Sequence, residues 1–153
     1  MAANEIQIIC ENRKARHEYT IDEHIEAGMV LTGSEVKSLR AGKANLSDSY
    51  AIAKSNELWL LNVHIPHYMG NHYNHEPLRT RKLLVHKAQF TKLAKRIEGT
   101  GFSLIPLKMY FKEGIAKIEL GVGRGKKAHD KRITIKERES KRQMEKLRKH
   151  VQR

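Results

Sequence analysis

Residues 102–122 read FSLIPLKMYFKEGIAKIELGV. Apolar and polar side chains alternate on both sides of Glu113-Gly114, a pair suited to a tight turn between antiparallel strands. After the turn, Ala116, Ile118, Leu120 and Val122 share one face, and Lys117 and Glu119 share the other. Before it, Phe102 and Leu104 have one parity, while Leu107, Met109 and Phe111 have the other. A slip at Ile105-Pro106 calls for a bulge or an edge position there. This hairpin makes antiparallel β-structure the frame into which the rest must fit.

Upstream, Ile6 to Cys10 is a strand candidate. Asn12, Arg13, Lys14 and Arg16 make a basic turn before a half-buried strand around Tyr19 and Ile21. Met29 to Leu31, after Gly28, is another strand candidate. Tyr50–Lys54 and Glu57–Ile65 pair across Ser55-Asn56, with Trp59, Leu61, Val63 and Ile65 expected on the core face. Leu83 to Val85 is one more short apolar run. Two helices are expected. Thr32 with Glu35 forms a capping box ahead of Val36 and Leu39, and Gly42 stops that helix. Phe90, Leu93, Ala94 and Ile97 mark an amphipathic helix that ends at Gly99 and Gly101. Pro66 to Thr80 has no periodicity and reads as a loop. Short antiparallel strands with two helices predict a mainly β fold. The form expected is an oligonucleotide-binding-type barrel with flanking helices, a sandwich being the alternative.

The 153 residues suit one domain and a tail, and the formal net charge is +13. From Gly121 onward there are 13 Lys+Arg against 4 Asp+Glu, an excess of nine, which leaves four for the body. The stretch GVGRGKKAHDKR, residues 121–132, is expected to be a glycine hinge between them. We therefore divide the chain into a body, 1–122, and a basic tail, 123–153. Residues 136–143 are all polar, so they cannot anchor to a core. The favourably ordered pairs Glu137–Lys141 and Glu145–Lys149 contribute about 0.2–0.5 kcal/mol each, which predicts disorder alone and a helix on a polyanion.

The charge asymmetry points to nucleic acid rather than a membrane, since the tail has no wide apolar face. One cysteine, no apolar run of membrane-spanning length and no signal-peptide pattern at the start lead to a soluble cytoplasmic expectation. The pairs His64/His67 and His72/His75 lack a thiolate cluster or helical frame, so no metal is expected. No nucleophile constellation stands out, and Gly121 to Gly125 lacks a phosphate-loop ending. The reading is of no enzyme, no cofactor and no small-molecule substrate. Candidate RNA contacts are Asn12, Arg13, Arg16, His17 and Tyr19, then Lys37, Arg40 and Lys43, then Arg81 and Lys82, and finally Arg124, Lys126 and Lys127. Interleaved cations, histidines and aromatics suit phosphates and stacked bases.

Several motifs together resemble one family. They are NRKARHEY (12–19), EAG (26–28), GSEVKSLRAGK (33–43), DSYA (48–51), RKLL (81–84) and GKKAHDKR (125–132). In this order they are similar to SmpB, the bacterial SsrA-binding family, partner of transfer-messenger RNA. The resemblance implies a non-catalytic oligonucleotide-binding-type barrel. It implies binding to the tRNA-like domain of that RNA and delivery to stalled ribosomes. The tail would become helical in the empty messenger channel of the small subunit, near decoding-region RNA. By motif position, Glu26, Leu84 and Lys117 match family residues tied to RNA binding. His129, Asp130, Lys131 and Arg132 match the ribosome-contacting start of the tail, with Lys136, Arg138, Lys141 and Arg142 following in the same arm.

Overall fold

Alternation about Glu113-Gly114 produces two long antiparallel strands that hold the whole sheet together. The computed structural model describes residues 5–98, 101–126 and 137–147. In chain order the elements are β1 (Ile6–Glu11), α1 (Arg13–Glu18), β2 (Tyr19–Met29), α2 (Gly33–Arg40) and β3 (Tyr50–Lys54). Then come β4 (Glu57–Leu61), β5 (Arg81–Leu84), α3 (Lys87–Ile97), β6 (Ser103–Lys112) and β7 (Ile115–Gly125). Residues 137–147 are also helical and exposed throughout.

The strand order is β1-β6-β3-β4-β5-β2-β7, and β7 pairs back with β6. Six antiparallel strands thus close a near-barrel ring, with β1 added outside it. One edge of β6 is divided, with β1 along Lys108–Lys112 and β3 meeting it only at Ala51–Leu104. The ring is therefore thinnest at the β3–β6 seam.

Ile118, Leu120 and Val122 are fully buried inside the ring. Burial of each such side chain contributes about 1.5–3 kcal/mol. Both hairpin turns are left-handed at their two central residues: Ser55 and Asn56 at φ 53° and 60°, Glu113 and Gly114 at 53° and 78°. That geometry matches the twist of the strands they join. The helix α3 sets Leu93 into the core, with Phe90 and Ile97 packed beside it.

The core face of β4 is the opposite of the one expected. Leu58 and Leu60 are buried, while Trp59 and Leu61 are only half-buried. The strand ends at Leu61, and Asn62 takes a left-handed φ of 62°. That one residue shifts the parity, so Val63 and Ile65 still point inward.

The basic run after Asn12 is a helical turn, not an open one, and the strand begins at Tyr19. It continues to Met29, and Val30 and Leu31, expected with Met29 as a separate strand, lie past its end outside any strand. A bulge between Ile21 and Glu23 bends it. The slip expected in β6 is present as a bulge between Pro106 and Lys108. Ile105, by alternation with the core residue Leu104, and Leu107, at the bulge, face out of the barrel, where Ala15 of α1, Tyr19 and Ile21 cover them as a second small core.

That second core explains the glycines. Gly121 and Gly123 lie inside β7, paired with β2 and β6, and are not a hinge. A Cβ on Gly121 would stand 2.9 Å from Ile21 Cγ2, and one on Gly123 would stand 2.5 Å from the Thr20 carbonyl oxygen. Here glycine permits close approach of side chain and backbone rather than flexibility. The folded body thus extends through Gly125, beyond the boundary drawn at 122/123.

Candidate nucleic-acid interface

Side chains alternate across the ring wall, so the residues opposite the core form the outer face. In register, Gly28 of β2 lies opposite both Leu84 of β5 and Lys117 of β7. Leu84, Gly28 and Lys117 therefore make one cross-strand row, and Glu26 stands two residues along the middle strand. Gly28 has no side chain and is buried, with Leu84 packed where a Cβ would stand (3.4 Å to Leu84 Cβ), so the row presents Leu84, which is 51% exposed, and Lys117. The three positions that the family resemblance singled out are brought together by strand pairing alone.

Tyr110 extends this row on β6, where it pairs with Lys117. It is buried, and its hydroxyl donates to a Glu26 carboxylate oxygen. Burial, and then the Glu26 carboxylate, push the phenol well above its ordinary range, so it stays protonated and donating. Lys112 Nζ lies 3.6 Å from Glu26 Oε2, and Lys108 lies over the Tyr110 ring at 5.8 Å. Sequence reading missed Tyr110. Its only signal was outward parity on a strand, which a polar tyrosine satisfies without any special role.

Next along this face, Glu119 meets His24 Nδ1 at 2.5 Å and Lys108 Nζ at 3.3 Å. Burial would raise the Glu119 carboxyl, but these two partners outweigh it and pull the pKa down. The outer face is thus a lattice of paired charges with Lys117 among them.

A second cationic group forms where the body ends. Tyr19 and Thr20 pair with Gly125 and Arg124. The Lys126 backbone N–H donates to the Glu18 carbonyl at 2.7 Å, and its Nζ donates to that of Arg16 at 3.3 Å. Arg124 stacks on Phe102 at 4.3 Å. Arg13 and Arg16 are exposed and His17 is half-buried on the same helix, so α1 and the start of the tail share one basic corner.

Two of the candidates sit inside the protein. Asn12 caps α1, accepting from Ala15 N–H, and donates to the carbonyls of Leu46 and Pro106 at 3.2 and 3.0 Å. Arg81 is fully buried. It pairs with Glu35 and donates to the carbonyls of Val63, Arg79 and Pro77. With every polar group used internally, both residues hold elements in place and offer nothing to a ligand. Tyr19 is half-buried over the small core, and Lys82 is paired with Glu57 at 2.9 Å. Lys37, Arg40 and Lys43 are exposed at α2 and its end. In the tail, Arg138, Lys141 and Arg142 are exposed on the helical segment, while Lys127, His129, Asp130, Lys131, Arg132 and Lys136 lie outside the described residues.

A cleft of about 840 Å³ opens at the β3–β6 seam between α1 and α3. Its rim sets Lys14 and Lys54 against Glu18, Asp48 and Glu98, and Lys14 bridges to Asp48 at 3.5 Å. That balance of charge does not suit a polyanion. Burial pushes the Cys10 thiol up to about 11, which leaves little thiolate near neutrality. No group of three or more metal-ligating side chains is present among the described residues.

A closed antiparallel ring with a charged outer face that includes Lys117, and with a basic arm, is the form of an oligonucleotide-binding barrel protein. The family described as SmpB protein matches residues 9–150. The SsrA-binding protein of Streptococcus pneumoniae (strain CGSP14) is 52% identical over 152 residues, covering 99% of this chain and 98% of its own. That of Syntrophotalea carbinolica is 56% identical over 140 residues, covering 91% and 93%. Among solved structures, a chain described under "tmRNA-SmpB: a journey to the center of the bacterial ribosome" is 50% identical, with a TM-score of 0.66. It covers 78% of this chain and 85% of that one. This chain belongs to the SmpB family.

Proposed function

We propose that this protein binds transfer-messenger RNA and works with it on the ribosome in trans-translation, as an adaptor and not as an enzyme. The observation that carries the reading is the Leu84–Gly28–Lys117 row with Glu26 beside it, in a chain about half identical to SsrA-binding proteins. Lys117 supplies a cation for a phosphate. Leu84, exposed beside the buried Gly28, offers an apolar surface to a ribose or base edge, and the Glu26 oxygen not engaged by Tyr110 accepts from base or ribose donors. The tRNA-like domain of the RNA is the element this face receives.

The basic corner of Arg13, Arg16, Arg124 and Lys126 marks where a second function begins. The tail sequence from there on holds most of the excess charge. Its role is to occupy the empty messenger channel of the small subunit near decoding-region RNA, with His129 to Arg132 at its start and Arg138, Lys141 and Arg142 farther along. The helical segment 137–147 has no apolar seat, since Met144 and Leu147 are 59% and 61% exposed. Ribosomal RNA would neutralise its charge and hold it. Such work on ribosomes implies a cytoplasmic location.

Sequencing the RNA that co-purifies with the intact protein from bacterial cells tests the reading. Transfer-messenger RNA should dominate. Recovery of ribosomal RNA alone, or of no enriched species, would overturn it.

A further inference from the structure

Residues 123–126, where the body ends, are fastened more firmly than the end of a strand requires, since strand ends ordinarily fray. Gly123 and Gly125 carry no side chain, so only Arg124 and Lys126 have side chains to hold the chain as it leaves the sheet. Lys126 is tied to the end of α1, through its backbone N–H to the Glu18 carbonyl and its Nζ to that of Arg16. Arg124 pairs with Thr20 of β2 and lays its guanidinium on the Phe102 ring. The guanidinium of Arg96, from α3, lies on the same ring at 4.9 Å. Arg96 is fixed in turn, with Glu23 Oε2 at 2.6 Å and Asp22 Oδ2 at 3.2 Å, both at the β2 bulge. Phe102 itself is half-buried against the main core.

Packing alone does not account for this arrangement. A leucine at 102 would cover the edge of the core but offer no face to a cation. Two guanidiniums on one ring repel each other, and Asp22 and Glu23 beside Arg96 offset that repulsion. What the arrangement does is fix the point from which the tail starts. Three residues of chain, at most about 11 Å, separate Lys126 from His129. Were 123–126 to come loose, seven residues and about 25 Å would separate His129 from the sheet. The effective concentration of a tethered group falls roughly as the three-halves power of tether length, which makes the difference about threefold.

We propose that Phe102 and Arg96 are positioning residues for the tail: acting through Arg124, they set the point from which it leaves a body already held on its RNA. The inference rests on the tail function proposed above. In the full-length protein, Phe102→Leu keeps an apolar side chain against the core and removes the ring. It should slow peptide tagging on stalled ribosomes about threefold and leave affinity for the tRNA-like domain at the parental value. Phe102→Tyr should restore the parental rate. Arg96→Met, which leaves the ring in place, should also slow tagging, and adding it to Phe102→Leu should slow tagging no further, because both act through one stack. Hydrogen exchange at the Lys126 amide should quicken in both variants, while the amides of Ile118 and Leu120 keep their protection. A merely structural role would instead lower protection along the whole strand and spare tagging. Parental tagging in both variants, unchanged exchange at Lys126, or a parallel loss of RNA affinity would overturn the proposal. The truncation lacking residues 133–153, measured alongside, separates the two readings. If it abolishes tagging while Phe102→Leu and Arg96→Met tag at the parental rate, only the positioning role is lost; if it tags normally, the tail function and the positioning role both fall.

Discussion

At Gly123 a missing side chain is what lets β7 pass within reach of the Thr20 carbonyl. Gly123→Ala forces backbone apart at the β2 bulge. It should cost about 1–3 kcal/mol, the usual penalty for overpacking, measured by urea denaturation. Gly125→Ala meets nothing within 4 Å and should be near neutral. Equal losses at both positions would show that chain entropy, not close approach, selects glycine here. The glycines were plain in the sequence, but their reason was not. A hinge and a close approach use the same letter, and the letter does not say which backbone runs past it. Asn12 misled in the same way: a polar residue in a basic run reads as a surface contact, and only long-range carbonyls from Leu46 and Pro106 reveal a buried cap. Lys117 and Glu119, by contrast, were legible as outward-facing because period-two alternation is a local property.

Among the elements, α2 depends most on distant residues. Its capping box was readable from Thr32 and Glu35, and it forms as expected. The sequence could not show that the same Glu35 carboxylate also pairs with Arg81 and, at 2.6 Å, with Arg79. Burial would raise the Glu35 carboxyl, yet the Arg79, Thr32 and Arg81 bonds outweigh it and hold the pKa down. A depressed folded-state pKa gives stability that is fully present above the unfolded value, about 4.3, and lost as pH falls through the folded one. Denaturant midpoints should therefore fall in acid, below about pH 4.3. Glu35→Gln removes that dependence and leaves Arg81 buried without its counter-charge, costing about 3–5 kcal/mol at neutral pH. A variant with the parent's stability and acid profile would exclude the network as the anchor of α2. In β4, the amphipathic face was misjudged because Trp59 and Leu61 are as apolar as Leu58 and Leu60. The deciding residue is Asn62, whose left-handed turn resets parity without any strong sequence signal.

Over the whole molecule, strand pairing collects residues from positions 26, 84, 110 and 117 onto one outer face, while most of the excess charge lies in the tail sequence. The barrel class was legible because short alternating strands and their turns are local features. The closure of β7 onto both β2 and β6 was not, since pairing partners are set by register across the fold. The division of labour gives a direct expectation: removing residues 133–153 should leave affinity for transfer-messenger RNA intact but abolish peptide tagging on stalled ribosomes. Loss of RNA binding in that truncation would refute it. The most direct test of the outer face is the affinity of Lys117→Ala and Lys117→Glu for the tRNA-like domain, titrated in salt against the parent. Lys117→Ala should weaken binding and reduce the salt slope by about one, and Lys117→Glu should weaken it further. Parental affinity and slope in both variants at matched salt would contradict the assignment of this face to RNA.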